Sequence, residues 1–183
     1  MLMVNQIGFD KDLHDKLGDE TLVRKHYRDT FAEQGIGIVE CNIVEILGNK
    51  SVKTIGKKIE QFEPAIYVGS LAIPLTDQSF VFSLISQEVG ITGIRDTFIL
   101  SKLISQGQQE LEPDPETGEP TIPGWAQDPY FQDYEGPCIC NLSESRVYDS
   151  DFPDHPLSKV RKRTDELVID LEALNNTLGT RKS

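Results

Sequence analysis

The stretch from Ser105 to His155 limits the fold more than any other part of the chain. It holds twelve of the 30 acidic residues and seven of the ten prolines, and Arg146 is its only base. It also holds Trp125, Tyr130, Phe131, Tyr134, Tyr148 and Phe152. A disordered acidic tether is usually poor in aromatic residues. This combination instead predicts a long, ordered excursion laid over a folded body. Irregular segments of that length inside a compact domain are uncommon and are often functional.

The segments on either side predict the body. A chain of 183 residues can bury a full core without disulfides or metal, and its length argues for one domain. Within it we distinguish an arm at 1–18, a helix and sheet at 19–104, the excursion at 105–155, and a C-terminal helix with its tail at 156–183. In the arm, Val4, Ile7 and Phe9 suit either a short edge strand or an arm lying on the body. Asp19–Gln34 reads as a helix, with Asp19 as N-cap, an apolar face of Leu22, Val23, Tyr27, Thr30 and Phe31, and Gly35 just past its end. The β-branched run Ile36–Leu47 reads as a strand, with Gly48-Asn49 as a hairpin turn. Ser51–Gln61 fits helical spacing as well as a strand, and the tight turn before it favours the strand. Ala65–Leu75 and Ser79–Val89 are further strands. The second is apolar on both faces at its start, which predicts a central strand covered on both sides. Short connections imply an antiparallel meander.

Ile94–Ser105 reads as a helix with Ile94, Phe98 and Leu100–Ile104 facing inward, although Thr97–Leu100 has strand composition. From Pro156 to Leu178 the residues Leu157, Val160, Thr164, Leu167, Leu171, Leu174 and Leu178 recur at alternating three and four, a heptad stripe. With a sheet to cover, that stripe predicts docking on the sheet; the other reading is a coiled-coil homo-oligomer. Asp154 is the expected N-cap, with Pro156 in the first turn. The fold class expected is α+β: a four- to five-stranded antiparallel meander covered by an N-terminal and a long C-terminal helix, with the acidic excursion wrapped over one face or edge.

The formal net charge is −12, which repels phosphate backbones and anionic lipid, so a main role on nucleic acid or membrane is not expected. No apolar run approaches the roughly 20 residues of a membrane span. The cysteines Cys41, Cys138 and Cys140 are too few for a disulfide framework, and Cys138-Ile139-Cys140 has the wrong spacing for a zinc knuckle. Reduced thiols and a cytoplasmic location are the reading.

No motif for nucleophilic, metal-hydrolytic or phosphate-loop chemistry is present. Asp149-Ser150-Asp151-Phe152-Pro153-Asp154-His155 gathers three carboxylates and an imidazole, which suit a hard cation, but the EF-hand spacing is missing and a capped helix entry explains the run equally well. No cofactor or metal is expected. Arg95, beside Asp96 in an apolar neighbourhood, suits a buried anchor for the excursion.

The expected function is therefore a non-catalytic interaction module, an adaptor, accessory subunit or inhibitor-type partner that offers an acidic, aromatic surface to a basic protein. Its contact residues would be Trp125, Tyr130, Phe131, Tyr134, Glu112, Asp114 and Glu116, although the aromatics suit pinning the excursion to the sheet just as well. The alternative is a small-molecule-binding protein or hydrolase-like enzyme, with a pocket between sheet and excursion formed by Arg95, Asp128, Tyr130, Asp151 and His155.

Overall fold

A computed structural model describes residues 2–8, 11–60, 63–134 and 140–179. The fold is α+β. Strand β1 (Leu2–Gly8) is followed by helices α1 (Lys11–Lys16) and α2 (Glu20–Glu33), then by strands β2 (Ile36–Ile46), β3 (Asn49–Lys58), β4 (Ile66–Pro74) and β5 (Gln78–Gln87). After α3 (Ile94–Ser105) come two short strands, β6 (Glu112–Pro113) and β7 (Pro120–Thr121), two single-turn 3₁₀ helices at Leu142–Glu144 and Arg146–Tyr148, and α4 (Pro156–Gly179). One antiparallel sheet runs in the order β1-β5-β4-β3-β2, so β2 to β5 form the expected meander and β1 joins beside β5. Of the two alternatives for the N-terminal residues, the edge strand is the one formed, and α1, which has too few residues to show a helical period, went unforeseen.

Local chemistry accounts for most boundaries. Asp19 caps α2 by accepting from the Thr21 and Leu22 N–H groups, and Gly35 ends it at φ 67°. The β2–β3 hairpin turns on Leu47-Gly48, one residue earlier than Gly48-Asn49, with φ of 53° and 75°. Both values are positive, as the tight hairpin twist demands. The turn fixes Ser51–Lys58 as strand, and the helical spacing there is incidental.

The two faces of the sheet carry different layers. On one, Leu13, Leu17 and Val23 from the α1–α2 region pack with Ile38, Cys41 and Val52. On the other, Leu157 and Val160 of α4 meet Ile55 and Tyr67, and further along Leu167 and Leu171 pack on Ile46, Leu71 and Ile73. The heptad stripe is therefore docked on the sheet as far as Leu171, and Leu174 is half exposed. Strand β3 is the one covered on both faces, since residues 51–57 are all buried, whereas β5 is half-buried along most of its length. β5 does lie inside the sheet, between β1 and β4, but the expected cover on both faces fails, because among the described residues α1 and α2 sit over the β2–β3 end of that face.

Two glycines set how closely the layers approach. A Cβ on Gly69 in β4 would lie 2.5 Å from Thr164 Oγ1 and 2.6 Å from Val160 Cγ1 of α4, and one on Gly56 in β3 would lie 2.6 Å from Ile36 Cγ2. The helix crosses β4 where no side chain stands between them. No helix among the described residues is long and apolar enough to cross a membrane. Gly69→Ala should lose about 1–3 kcal/mol of stability by overpacking this crossing. Urea melts read against Gly35→Asn, an open position whose left-handed backbone asparagine tolerates, would show the loss to be specific to the contact.

Candidate functional site

Between sheet, α3 and α4 lies a seam of buried charge that holds the 140–149 part of the excursion. Its geometry begins with a bulge in β2. The register shifts between Ile38 and Glu40, so that Ile38 opposes Gly56 while Glu40 opposes Ile55. The extra residue, Val39, makes Val39 and Glu40 both face α4. Glu40 then receives Arg161 Nε at 2.5 Å and Arg146 Nη2 at 2.8 Å, with Lys53 Nζ at 3.9 Å. Asp149 accepts from Arg95 Nη1 at 3.0 Å, Arg161 Nη1 at 2.9 Å and Ser158 Oγ at 3.1 Å. Lys57 lies 2.5 Å from Glu144 and 3.7 Å from Asp96, and Asp165 joins Lys53 at 2.6 Å to Arg146 at 2.7 Å. Among the described residues the seam thus contains five cations and five carboxylates; Glu40, Lys53, Lys57, Arg95, Glu144 and Arg161 are buried, and Arg146, Asp96 and Asp165 form its part-exposed rim.

Arg95 is fully buried in the first turn of α3. Besides Asp149 and Ser158 it donates to the main-chain oxygens of Ser143 (2.8 Å) and Ser145 (3.0 Å). It is the anchor of the excursion, and it displaces the expected inward face of α3. The buried side is Arg95, Ile99 and Leu103, one position on from the predicted Ile94 and Phe98, both of which are exposed. A guanidinium with carbonyl and carboxylate partners outcompetes an isoleucine for the inside position because those partners would otherwise be buried without a donor. Asn141 and Glu144 close the other side as a capping box, and Asp96 accepts from Asn141 Nδ2 at 3.1 Å and from Ser143 Oγ.

The seam sets its own protonation states. Burial alone would lower the Lys57 ammonium, but Glu144 and Asp96 outweigh it and hold Lys57 above its ordinary value. Burial alone would raise the Asp165 carboxyl, but hydrogen bonds from Arg146 and Lys53 hold it below the ordinary carboxylate range. Burial and the adjacent Glu144 push the Tyr67 phenol up, which keeps it a neutral donor to Glu144 at 3.4 Å. No buried side-chain nitrogen or oxygen among the described residues lacks a partner.

The predicted pocket forms in part. A cleft of about 610 Å³ lies between the end of β5, the loop before α3 and residues 151–156. Arg95, Asp151 and His155 line it, with Glu88, Ile91 and Phe152. Asp128 and Tyr130 do not join them. Asp128 is used locally, accepting from the Tyr130 and Phe131 N–H groups at 2.8 Å each, and Tyr130 is held at β2. His155 rather than Asp154 is the N-cap of α4. Its Nδ1 accepts from Leu157 N–H at 3.2 Å, its carbonyl accepts from Lys159 N–H, and its Nε2 lies 3.0 Å from Glu88. Asp154 sits one residue too early to cap, is 97% exposed and pairs with Lys159 at 3.2 Å. The Asp149–His155 run does not converge on a cation, and no group of three His, Cys, Asp or Glu among the described residues could hold a metal.

The aromatic residues of the excursion are arranged against α2. Arg24 stacks over Tyr130 at 4.2 Å, and Arg28 lies over Phe131 at 4.5 Å and Tyr134 at 4.7 Å. The Tyr130 hydroxyl accepts from Cys41 N–H at 2.7 Å. Burial pushes the Cys41 thiol up to about 12, so this cysteine stays a thiol. Trp125 is half-buried, and its backbone oxygen accepts from Leu142 N–H at 3.0 Å. Glu112, Asp114 and Glu116 lie on the β6–β7 hairpin. Asp114 organises the tip, accepting from the Glu116 and Thr117 N–H groups at 2.9 and 2.8 Å, and those bonds lower its pKa. Cys138, in the Cys138-Ile139-Cys140 run, lies outside the described residues; Cys140 is buried and its thiol donates to Ile38 O.

Glu40, Lys53, Lys57 and Asp165 were not anticipated. In the sequence they are ordinary charges on a strand or helix, and only the β2 bulge and the α4 crossing bring them together. The chain matches no model of a known protein family and no curated protein sequence.

Two outcomes follow from the seam. Arg161→Met should lose about 3–5 kcal/mol, because it leaves Glu40 and Asp149 buried with too few cations; chemical denaturation reads this directly. The lowered Asp165 carboxyl stabilises the fold fully above the unfolded value near 3.8, and that contribution is lost as pH falls through the folded value below it. Asp165→Asn should therefore be less stable at neutral pH and should show a shallower loss of stability below about pH 4, measured by thermal melts across pH.

Proposed function

We propose that this chain is a non-catalytic interaction module that docks a basic protein through the acidic hairpin of its excursion. The carrying observation is how the excursion's acids divide. Those at 144 and 149 are neutralised inside the seam, and Asp151 and Asp154 have Lys102 and Lys159 beside them. Glu110, Glu112, Asp114, Glu116 and Glu119 have no ion-pair partner among the described residues, and neither have Asp128 and Asp133; the first five stand on or just before a hairpin whose tip is held in one shape by Asp114 and Gly118. Clustered like charges on a preorganised turn steer and select a partner of opposite sign. The stacking of Tyr130, Phe131 and Tyr134 on α2 suits them to holding this excursion in place more than to contacting the partner. Cys41, buried and held as a thiol, accords with the proposed cytoplasmic location.

A second reading, a small-molecule site, draws on the cleft at Arg95, Asp151 and His155. Its support is weaker for catalysis than for binding. Both ring nitrogens of His155 are engaged by Leu157 and Glu88, and the Arg95 guanidinium is taken up by four acceptors.

The test is affinity capture at low and high salt, followed by titration of the captured protein into pure chain. A basic partner whose affinity falls steeply with salt is expected. Glu112→Lys, Glu116→Lys and Glu119→Lys together should abolish binding, with Asp114 left intact because it folds the turn. Binding unchanged by this triple reversal would exclude the hairpin.

A further inference from the structure

The two edges of the sheet are treated in opposite ways. At the β2 edge the outward main-chain groups are covered by side chains: Cys41 N–H donates to the Tyr130 hydroxyl, Cys41 O accepts from Arg24 Nε at 3.1 Å, and Ile43 N–H donates to Glu20 at 3.4 Å. That edge also carries the bulge and two glutamates, Glu40 and Glu45. These are the usual devices that keep an edge strand from pairing with another chain. Among the described residues the β1 edge has none of them. Among the described strands β1 pairs only with β5, over Leu2↔Leu84 to Gly8↔Gln78, which leaves its outer main-chain groups open along seven residues. It has no proline, no bulge and no charge.

The absence of charge extends inward. Not one residue of β1, β4 or β5 carries a formal charge, in a chain of which 26% of residues do. Leu2 and Val4 oppose Leu84 and Phe82, which places them on the face that α4 covers, yet they are 53% and 55% exposed. On the opposite face, Met3, Val68 and Val81 are only half-buried, because α1 and α2 stop at the other end of the sheet.

We propose that β1 pairs antiparallel with β1 of a second copy, joining the two sheets into one of ten strands. The electrostatics select this occupant. A second copy carries −12 overall, so association is tolerable only where neither copy brings charge, and β1 with its neighbours is that place. A strongly basic partner would find no carboxylate here. Antiparallel pairing about a two-fold axis normal to the sheet is self-complementary, since each outward N–H of one strand meets a carbonyl of the other. Centred on Asn5, the same axis keeps Leu2 and Val4 of both copies on one face and sets Val4 opposite Gln6 of the other copy and diagonal to its Val4. The α4 stripe is already packed on the sheet, so the dimer does not run through a coiled coil. This proposal is independent of the acidic hairpin.

Sedimentation of the full chain over a range of concentrations tests it. The expected mass is two chains, falling to one on dilution. Leu2→Lys with Val4→Lys places like charges across the axis and should leave one chain at every concentration, with far-ultraviolet circular dichroism unchanged. Because a strand variant can also loosen the fold, Asn5→Cys in a Cys138→Ser background supplies a second reading: mild oxidation should link two copies through the residue near the axis, and Thr97→Cys on the outer face of α3 should not. One chain at all concentrations, a dimer indifferent to the lysines, or equal linking by both cysteines would overturn the proposal.

Discussion

The balanced seam of buried charge is the interaction on which the rest of this structure depends. Glu40 from β2, Lys53 and Lys57 from β3, Arg95 and Asp96 from α3, Glu144, Arg146 and Asp149 from the excursion, and Arg161 and Asp165 from α4 meet in one place. Every major layer except α1–α2 contributes. Replacing such a set with apolar residues of equal volume is often neutral or stabilising, so the seam is a weak argument for stability as such. What it supplies is uniqueness. A carboxylate or guanidinium left unpaired under cover is far costlier than a misplaced methyl group, so the 140–149 segment has one way to lie on the sheet.

That rigidity reaches the surface of the excursion. With 140–149 anchored on Arg95 and Arg161, and Tyr130, Phe131 and Tyr134 stacked on Arg24 and Arg28, the excursion is tied on both sides of the sheet. The β6–β7 hairpin hangs between α3 and these ties, short and closed by its own turn bonds. The turn that carries its carboxylates is therefore set by bonds within the hairpin itself. Preorganisation of this kind lowers the ordering cost that a flexible acidic segment meets on binding.

The sheet shows the same economy in another form. Charge is concentrated on β2 and β3, under and beside the seam, and is absent from β1, β4 and β5. One half of the sheet is built to bind the chain's own excursion. The other is apolar, half-covered and open at its edge, and Gly69 with α4 above it marks the border between them.

Periodicity and turn chemistry made the element order legible from residues alone: the Asp19 cap, the 36–89 hairpins and the stripe from Leu157 to Leu171 each depend on neighbours within a few positions. The role of Arg95 was also readable, because a lone arginine in an apolar run needs buried partners. The site was legible only in pieces. Arg95, Asp151 and His155 do share a cleft, but Asp128 and Tyr130, close to them in composition and in chain position, go elsewhere. Which charge meets which depends on a single extra residue in β2, Val39, that turns Glu40 from one face to the other, and on α4 crossing at Gly69 so that Arg161 arrives above it. The inward face of α3 and the cap of α4 moved by one residue for the same reason: the competing positions differ little in local propensity, and hydrogen-bond partners far along the chain decided between them. By itself, then, the sequence determined the meander, the helices at 19–34 and 156–178 and the charged character of the excursion, since those follow from local periodicity and composition. The tertiary structure alone decided which acids are neutralised and which remain free, because pairing energies fall off over a few ångströms and those distances exist only once the chain has folded.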